Sequence, residues 1–161
     1  VAAECAAAAT LDEALVDGWL GHRNDVSALE ALIRKGFVVD TMEVAAPWGR
    51  LPEVHAATIA ALEAVDGVRS ASAHQSHAYT DGACLYFSFA GRPPDDDADA
   101  FALACWDAGT RAVLDAGGAL SHHHGVGLHR SRFVADALGS GADVLASLKA
   151  SGVGRGGRTP L

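Results

Sequence analysis

The sequence predicts an α+β domain in which two helices cover one face of a four-stranded antiparallel sheet. Three observations support this fold class. Strand-like and helix-like segments alternate in the order β-α-β-β-α-β, an Asp81-Gly82 turn joins two of the strand-like segments, and half of the 161 residues are hydrophobic. A chain of this length and composition is expected to bury a core within one compact domain.

The first half of the predicted order is a short helix, a strand and a longer helix. Residues 25–35 carry apolar residues at helical spacing and end at Gly36, a residue that suits the position after a helix. Residues 37–44 are rich in β-branched and apolar residues and form the first strand. Residues 51–65 have a proline in the first turn, and Asp66-Gly67 ends that helix.

The second half begins with a hairpin. Residues 68–78 and 83–89 are strand-like, and the Asp-Gly pair between them is typical of a tight turn. An acidic run at 95–97 favours a helix N-terminus, and the helix continues to about Ala116. Residues 119–122 are predicted as the fourth strand. This order is the ferredoxin-like, split βαβ arrangement.

Both ends of the chain extend this core. The first residues look like the middle of a helix and begin with Val1, so we expect a fragment of a longer protein. Residues 133–150 are predicted to form two short helices, which close a domain spanning residues 1–150. Residues 151–161 are rich in glycine and arginine without periodicity, and we expect a mobile tail there.

Charge and composition exclude several classes of protein. Twelve basic against twenty acidic residues give a net charge of −8, which argues against a general nucleic-acid or anionic-membrane surface. No apolar run is long enough to span a membrane. The three cysteines form no CxxC pair, which disfavours a disulfide framework or a zinc knuckle. A reducing, cytoplasmic location is expected.

Three consecutive histidines, His122, His123 and His124, form the most informative feature of the sequence. They lie in the segment SHHHGVG at residues 121–127. An imidazole can donate a hydrogen bond, accept one or carry charge near neutral pH, and the glycines that follow let the backbone approach a ligand closely. The segment therefore predicts a functional site.

A second group of candidates lies on the hairpin. Tyr86 and Ser88 share one face of their strand, opposite the face of the neighbouring apolar residues. His74, His77 and Tyr79 stand on the other strand and its turn. A tyrosine in a strand commonly serves in packing, and this interpretation stays open beside the functional one.

A metal site built on the hairpin histidines is disfavoured by their spacing. In a regular strand, residues three apart point to opposite faces, so His74 and His77 are predicted not to face each other. No carboxylate or cysteine stands beside them at a convincing spacing. No metal is therefore expected at this site.

Four separated blocks carry a resemblance to a known family. The blocks are Trp19 with Arg23, VDTMEVAAPWGRL at residues 39–51, HQSHAYTDGACLYF at residues 74–87, and SHHHGVG. In this order they resemble the C-terminal half of the alkyldihydroxyacetonephosphate synthases and their bacterial FAD-linked oxidase relatives, within the vanillyl-alcohol oxidase superfamily. Hydroxy-acid dehydrogenases of that superfamily usually carry GEHG where this chain has HHHG, so the triple histidine indicates the synthase branch.

The resemblance implies a cap domain over a flavin. In such proteins an N-terminal domain holds most of the FAD, and its Gly-rich pyrophosphate-binding segments do not occur in this sequence. The implied partners are that FAD-binding domain of the same protein and a small-molecule substrate, and a homodimer stays open. The implied reaction exchanges an acyl for an alkyl group on dihydroxyacetone phosphate, with the flavin holding the substrate and no net redox change. The chain alone is expected to be inactive.

The resemblance also implies roles for individual residues. Tyr86 corresponds to the acid/base tyrosine, and His122, His123 and His124 correspond to the active-site histidines. His123, His124 and Gly125 are expected to line the flavin. His77 and Ser88 are the remaining candidates, and we expect them to bind the substrate. Two alternatives remain: the cap of an FAD-dependent oxidase or dehydrogenase of an alcohol or hydroxy acid, and a stand-alone ferredoxin-like module that binds a metal or a small ligand.

Overall fold

The structure, a computed structural model, describes residues 8, 9 and 11–152, and the chain divides into two compact units, Val1–Ala31 and Leu32–Leu161. In the first unit, helix α1 (Ala14–His22) begins just after Asp12, whose carboxylate accepts a hydrogen bond from the Ala14 amide. Helix α2 (Ser27–Ile33) starts in the same way, because the carboxylate of Asp25 accepts from the Ser27 amide at 2.9 Å.

The second unit contains the predicted succession of strands and helices. The α+β class and the order β-α-β-β-α are confirmed, as are the two short helices predicted within residues 133–150, and one more short helix at residues 127–131 precedes them. The elements are β1 (Val38–Pro47), α3 (Leu51–Glu63), β2 (Val68–Ala78), β3 (Gly82–Gly91), α4 (Ala98–Asp115), α5 (Gly127–Ser131), α6 (Val134–Leu138) and α7 (Ser140–Ala150).

The sheet has three antiparallel strands in the order β1-β3-β2. The predicted hairpin is confirmed, and the Tyr79 amide donates to the Gly82 carbonyl across the turn at 2.8 Å. The predicted fourth strand at 119–122 is wrong, because that segment makes a single bridge between Ala119 and Ala45. The ladder stops there because the His122 amide donates to the side chain of Glu43 and not to a strand carbonyl.

The two faces of the sheet differ in chemistry. Helices α3 and α4 cover one face and enclose a core built on Met42, Val44, Leu85, Phe87 and Phe89. Alternation along the strands sends the intervening side chains to the other face. This open face carries Thr41, Glu43, Ser72, His74, His77, Cys84, Tyr86 and Ser88.

A β-bulge in β2 changes which side chains reach the open face. His74 pairs with Tyr86 and Gln75 with Leu85, but the next paired residue is His77, opposite Cys84. One extra residue, Ser76, therefore stands between two successive pairs. Because of it, His74 and His77 both lie on the open face, and the prediction that they face opposite sides is wrong.

The described part of the chain ends in a turn at residues 151 and 152, directly after α7. The rest of the predicted tail, residues 153–161, lies outside the described residues. Within the described part of the chain, no helix combines the length and the apolar character needed to cross a bilayer.

Candidate active site

The triple histidine lies in the loop between α4 and α5, over the open face of the sheet. The ring of His77 is 5.5 Å from that of His122 and 5.1 Å from that of His123, measured between centroids. Within the loop, the centroids of His122 and His123 are 4.5 Å apart and those of His123 and His124 are 4.4 Å apart. These four imidazoles, hereafter the histidine cluster, form one continuous group.

Glu43 on β1 holds this loop against the sheet. Its side chain is fully buried, and one carboxylate oxygen accepts from the His122 amide at 2.7 Å. The other oxygen lies 3.0 Å from Nδ1 of His124 and 3.0 Å from a guanidinium nitrogen of Arg130. One carboxylate therefore fixes the loop backbone, one imidazole and one cation together.

Arg130 on α5 completes the attachment. Its guanidinium donates to the carbonyl of Glu43 and, at 3.2 Å, to the carbonyl of Gly125 in the loop. The same group lies 4.9 Å above the ring of Trp106 on α4. Because both partners of the Glu43–Arg130 pair are buried, removing either one would leave a charge without a partner.

Tyr86 lies beside this assembly on the central strand. Its hydroxyl is hydrogen-bonded to the hydroxyl of Thr41 at 3.1 Å. Its ring meets the ring of His124 edge to face, with 6.4 Å between centroids. Ser88 lies two residues further along the same face, as the alternation predicts. The structure thus brings Tyr86 and the triple histidine together, and their catalytic roles stay predictions.

The loop backbone at Gly125 is exposed and open to a ligand. Its φ of 75° is a left-handed value that favours glycine. A Cβ added there would meet no atom of the described residues within 4 Å, so the backbone could approach a flat ring closely. This geometry is compatible with the contact to a cofactor that the sequence predicts for Gly125.

A cavity of about 830 Å³ opens next to the histidine cluster. His122 and His123 stand at its edge, and the remaining wall is mainly apolar. That wall includes Leu114, Leu120, Val126, Val134, Leu138 and Leu145. The cavity can accommodate the apolar part of a small molecule whose polar end reaches the imidazoles.

The electrostatics of the cluster act most clearly on His123. Desolvation, followed by repulsion from His124 and His122, lowers the pKa of His123 below its ordinary value of 6.5, against an opposing effect of Glu43. His123 is therefore expected to be uncharged at neutral pH. An uncharged imidazole can accept a proton or a hydrogen bond from a substrate.

The lowered pKa of His123 predicts a dependence of stability on pH. Because the unfolded chain binds this proton more readily than the folded one, the folded state loses stability as pH falls below 6.5. His123→Gln should remove this contribution, so the fall in melting temperature between pH 7.5 and pH 5.5 should be smaller in the variant. Thermal denaturation at both pH values measures it, with His55→Gln, an exposed histidine of α3 outside the histidine cluster, as the control. An equal fall in both variants would contradict the prediction.

Two groups of side chains are close enough to chelate an ion. In the described residues, the ligand atoms of His77, Cys84 and His122 lie within 4.8 Å of one another, as do those of Glu43, His122 and His123. The bulge places His77 beside Cys84, which a regular strand would not have done. Cys105 stands on α4, where burial and then the charge of Asp40 raise the pKa of its thiol to about 11 and keep it protonated at neutral pH.

Sequence reasoning missed Glu43, Arg130 and Cys84 as members of the site. One signal was present for Glu43, since a carboxylate within a buried apolar strand needs a partner. The partner, Arg130, stands 87 residues away in the chain, and no local pattern connects the two.

Comparisons with known proteins identify the family of the chain. A family model described as "FAD linked oxidases, C-terminal domain" matches residues 1–151. Alkyldihydroxyacetonephosphate synthase of Dictyostelium discoideum is 46% identical over 55 residues, which are 34% of this chain and 9% of that protein. The uncharacterized FAD-linked oxidoreductase YgcU of Escherichia coli K12 is 25% identical over 152 aligned positions, covering 86% of this chain and 31% of that protein.

Solved structures give the same result for the fold. A structure of alkyldihydroxyacetonephosphate synthase in space group P212121 superposes with a TM-score of 0.55 at 25% identity, covering 83% of this chain and 22% of that one. A second structure of that synthase, in P1, has a TM-score of 0.50 at 24% identity over 63% of this chain and 19% of that one. The chain thus spans less than a third of the length of each of these relatives.

Proposed function

The chain belongs to the family of FAD-linked oxidase C-terminal domains, and we propose that it is the substrate-covering domain of a flavoenzyme that resembles alkyldihydroxyacetonephosphate synthase. The observation that carries this proposal is the open face of the sheet. There a tyrosine hydroxyl and the histidine cluster share one surface, while the opposite face is used for the core. A face that is polar, titratable and half-exposed serves a ligand better than it serves packing.

The proposed partner is the FAD-binding domain of the same protein, acting in the cytoplasm. The residues on the open face fit one side of a flavin ring: His123 and His124 offer imidazoles, and Gly125 offers backbone without a side chain in the way. The family of the chain supports a second domain that holds most of the cofactor. When bound, FAD would supply the flavin ring that reacts with the substrate.

The residues of this chain would then bind the substrate and move protons. Tyr86 is proposed as the acid/base group, with the triple histidine as its partner beside the flavin. His77 and Ser88 flank this position on the open face and are proposed to contact the polar part of the substrate. The neighbouring cavity would take the apolar part, because most of its wall is aliphatic.

Two reactions are compatible with this assignment, and each has support among the relatives. Similarity to the synthase favours exchange of an acyl for an alkyl group without net redox change. Similarity to the oxidoreductase, over a larger share of the chain, favours oxidation of an alcohol or a hydroxy acid. We favour the synthase reaction because the three histidines at 122–124 resemble the synthase sequences more than the GEHG sequence of the hydroxy-acid dehydrogenases.

An assay with two arms tests the proposal on the purified flavoprotein that carries this domain. In one arm, anaerobic incubation with alcohols or hydroxy acids is followed by absorbance, and loss of the oxidised-flavin band indicates an oxidase. In the other arm, an acyl-dihydroxyacetone phosphate is mixed with a labelled fatty alcohol, and label in the ether product together with release of the fatty acid indicates the synthase reaction. A flavin-replete protein that is inactive in both arms would contradict the proposal.

A second candidate function is a metal-binding module, and one observation favours it. His77, Cys84 and His122 offer two imidazoles and a thiol, a combination typical of zinc sites. Metal analysis of the purified protein, before and after Cys84→Ser, distinguishes this candidate. One equivalent of zinc that is lost in the variant would support a metal role.

A further inference from the structure

The three histidines at 122–124 are not equivalent, because within the described residues only His124 has a ring nitrogen in salt-bridge contact with a carboxylate. His124 contacts Glu43 through Nδ1 at 3.0 Å. His122 contacts Glu43 through its backbone amide, and its ring is hydrogen-bonded to the ring of His123. The proton positions on those two rings therefore depend on each other, while that of His124 depends on Glu43.

The state of Glu43 follows from its surroundings. The side chain is fully buried and lies 3.0 Å from the guanidinium of Arg130, which is always charged and itself only 10% exposed. A buried carboxylate beside such a cation stays ionised, and an ionised carboxylate can only accept hydrogen bonds. Each contact that Glu43 makes through its oxygens must therefore come from a donor.

We propose that Glu43 is a positioning residue that fixes His124 with the proton on Nδ1 and leaves Nε2 free to accept a proton. Since the carboxylate cannot donate, Nδ1 of His124 must carry the hydrogen. In an uncharged imidazole, the other nitrogen is then an acceptor. Arg130 contributes by pairing with the same carboxylate oxygen, which holds Glu43 in position beneath the loop.

This arrangement assigns a separate role to one member of the triple histidine. His124 is 47% exposed and meets Tyr86 edge to face, so its free nitrogen belongs to the same surface as the tyrosine. A carboxylate that orients an imidazole in this way is the device by which enzymes set the tautomer of a general base. The consequence for turnover rests on the proposed function, whereas the position of the proton does not.

Glu43→Gln tests the proposal, because an amide has one acceptor oxygen where the carboxylate has two. In the wild type, one carboxylate oxygen faces the His122 amide and the other faces both His124 and Arg130. Because glutamine has a single acceptor oxygen, it cannot replace both carboxylate oxygens as hydrogen-bond acceptors. In the flavoprotein labelled with ¹⁵N-histidine at alkaline pH, the wild type should show His124 with Nδ1 protonated and Nε2 bare. The variant should show the reverse. Turnover should fall at least about 10-fold with little change in KM.

The matched control is Glu53→Gln on α3, where an exposed carboxylate pairs with Arg50. It makes the same chemical change away from the site, and both the imidazole signals and turnover should match the wild type. If Glu43→Gln does not fold because Arg130 is left without a partner, the double variant Glu43→Gln/Arg130→Met removes both charges and should show the same shift of the proton.

Two outcomes would overturn the proposal. An Nδ1 signal that is bare in the wild type, or unchanged in the variants, means that Glu43 does not set the tautomer. A shifted proton with undiminished turnover means that the tautomer has no role in the reaction. The proposed function is judged separately by the two-arm assay on the wild-type flavoprotein, which does not depend on the state of His124.

Discussion

Tyr86→Phe is expected to lower the turnover of the flavoprotein by about 10²- to 10⁴-fold, the range that a positioned acid or base contributes. The substitution removes one hydroxyl and keeps the ring. The ring contact with His124 therefore persists, while the hydroxyl that is hydrogen-bonded to Thr41 is lost. FAD absorbance and melting temperature should stay close to those of the wild type. Steady-state turnover at saturating substrate is the measurement.

The control for this prediction is Thr80→Ala at the exposed tip of the same hairpin. It also removes one hydroxyl, but at a position away from the open face, and turnover should not change. Undiminished turnover in Tyr86→Phe would leave the tyrosine with a packing role alone. The site would then have to rely on the histidine cluster for proton transfer.

Phe87→Ala is expected to destabilise the chain by about 3–5 kcal/mol, the usual cost of truncating a buried phenylalanine. Phe87 is fully buried and lies between the sheet and the covering helices, one residue after Tyr86 and on the opposite face. Because a domain of this size is stable by only about 5–15 kcal/mol, the loss would take a large part of the total. Equilibrium urea unfolding of the chain measures the free energy of unfolding.

Leu103→Ala on α4 is the matched control for the core prediction. Its side chain is 43% exposed, and surface truncations of this kind usually change stability by less than about 0.5 kcal/mol. Similar losses in both variants would show that Phe87 does not anchor the core. The pair of substitutions at 86 and 87 thus separates chemistry from stability on a single strand.

Local patterns were sufficient to predict most of the fold. The hairpin was predicted because Asp81-Gly82 supplies a turn and both flanking segments favour strands, and the observed β2 has the predicted bounds. The first long helix followed from its proline in the first turn and from Asp66-Gly67 at its end, and the second from the acidic run at 95–97. In each case the deciding interaction lies within a few residues along the chain.

The exceptions depend on contacts that are distant in sequence. The fourth strand is reduced to one bridge because Glu43 takes the His122 amide, and these residues are 79 positions apart. The same carboxylate binds Arg130, which the sequence places in an unremarkable basic stretch. The residue pattern singled out the triple histidine and the family resemblance singled out Tyr86, but only the folded chain shows which groups hold them in place.

The bulge in β2 has a consequence for how hairpins of this type are aligned. Ser76 has no cross-strand partner in the ladder. Removing it would therefore leave His74 opposite Tyr86 and His77 opposite Cys84. Two hairpins that differ in length by one residue can therefore present the same imidazoles to a ligand. An alignment that forbids a gap at this position would match only one of the two histidines and would pair the other with a neighbour on the opposite face of the strand. In such hairpins, two residues are structurally equivalent when they face the same cross-strand partner, even if their distances from the turn differ by one residue.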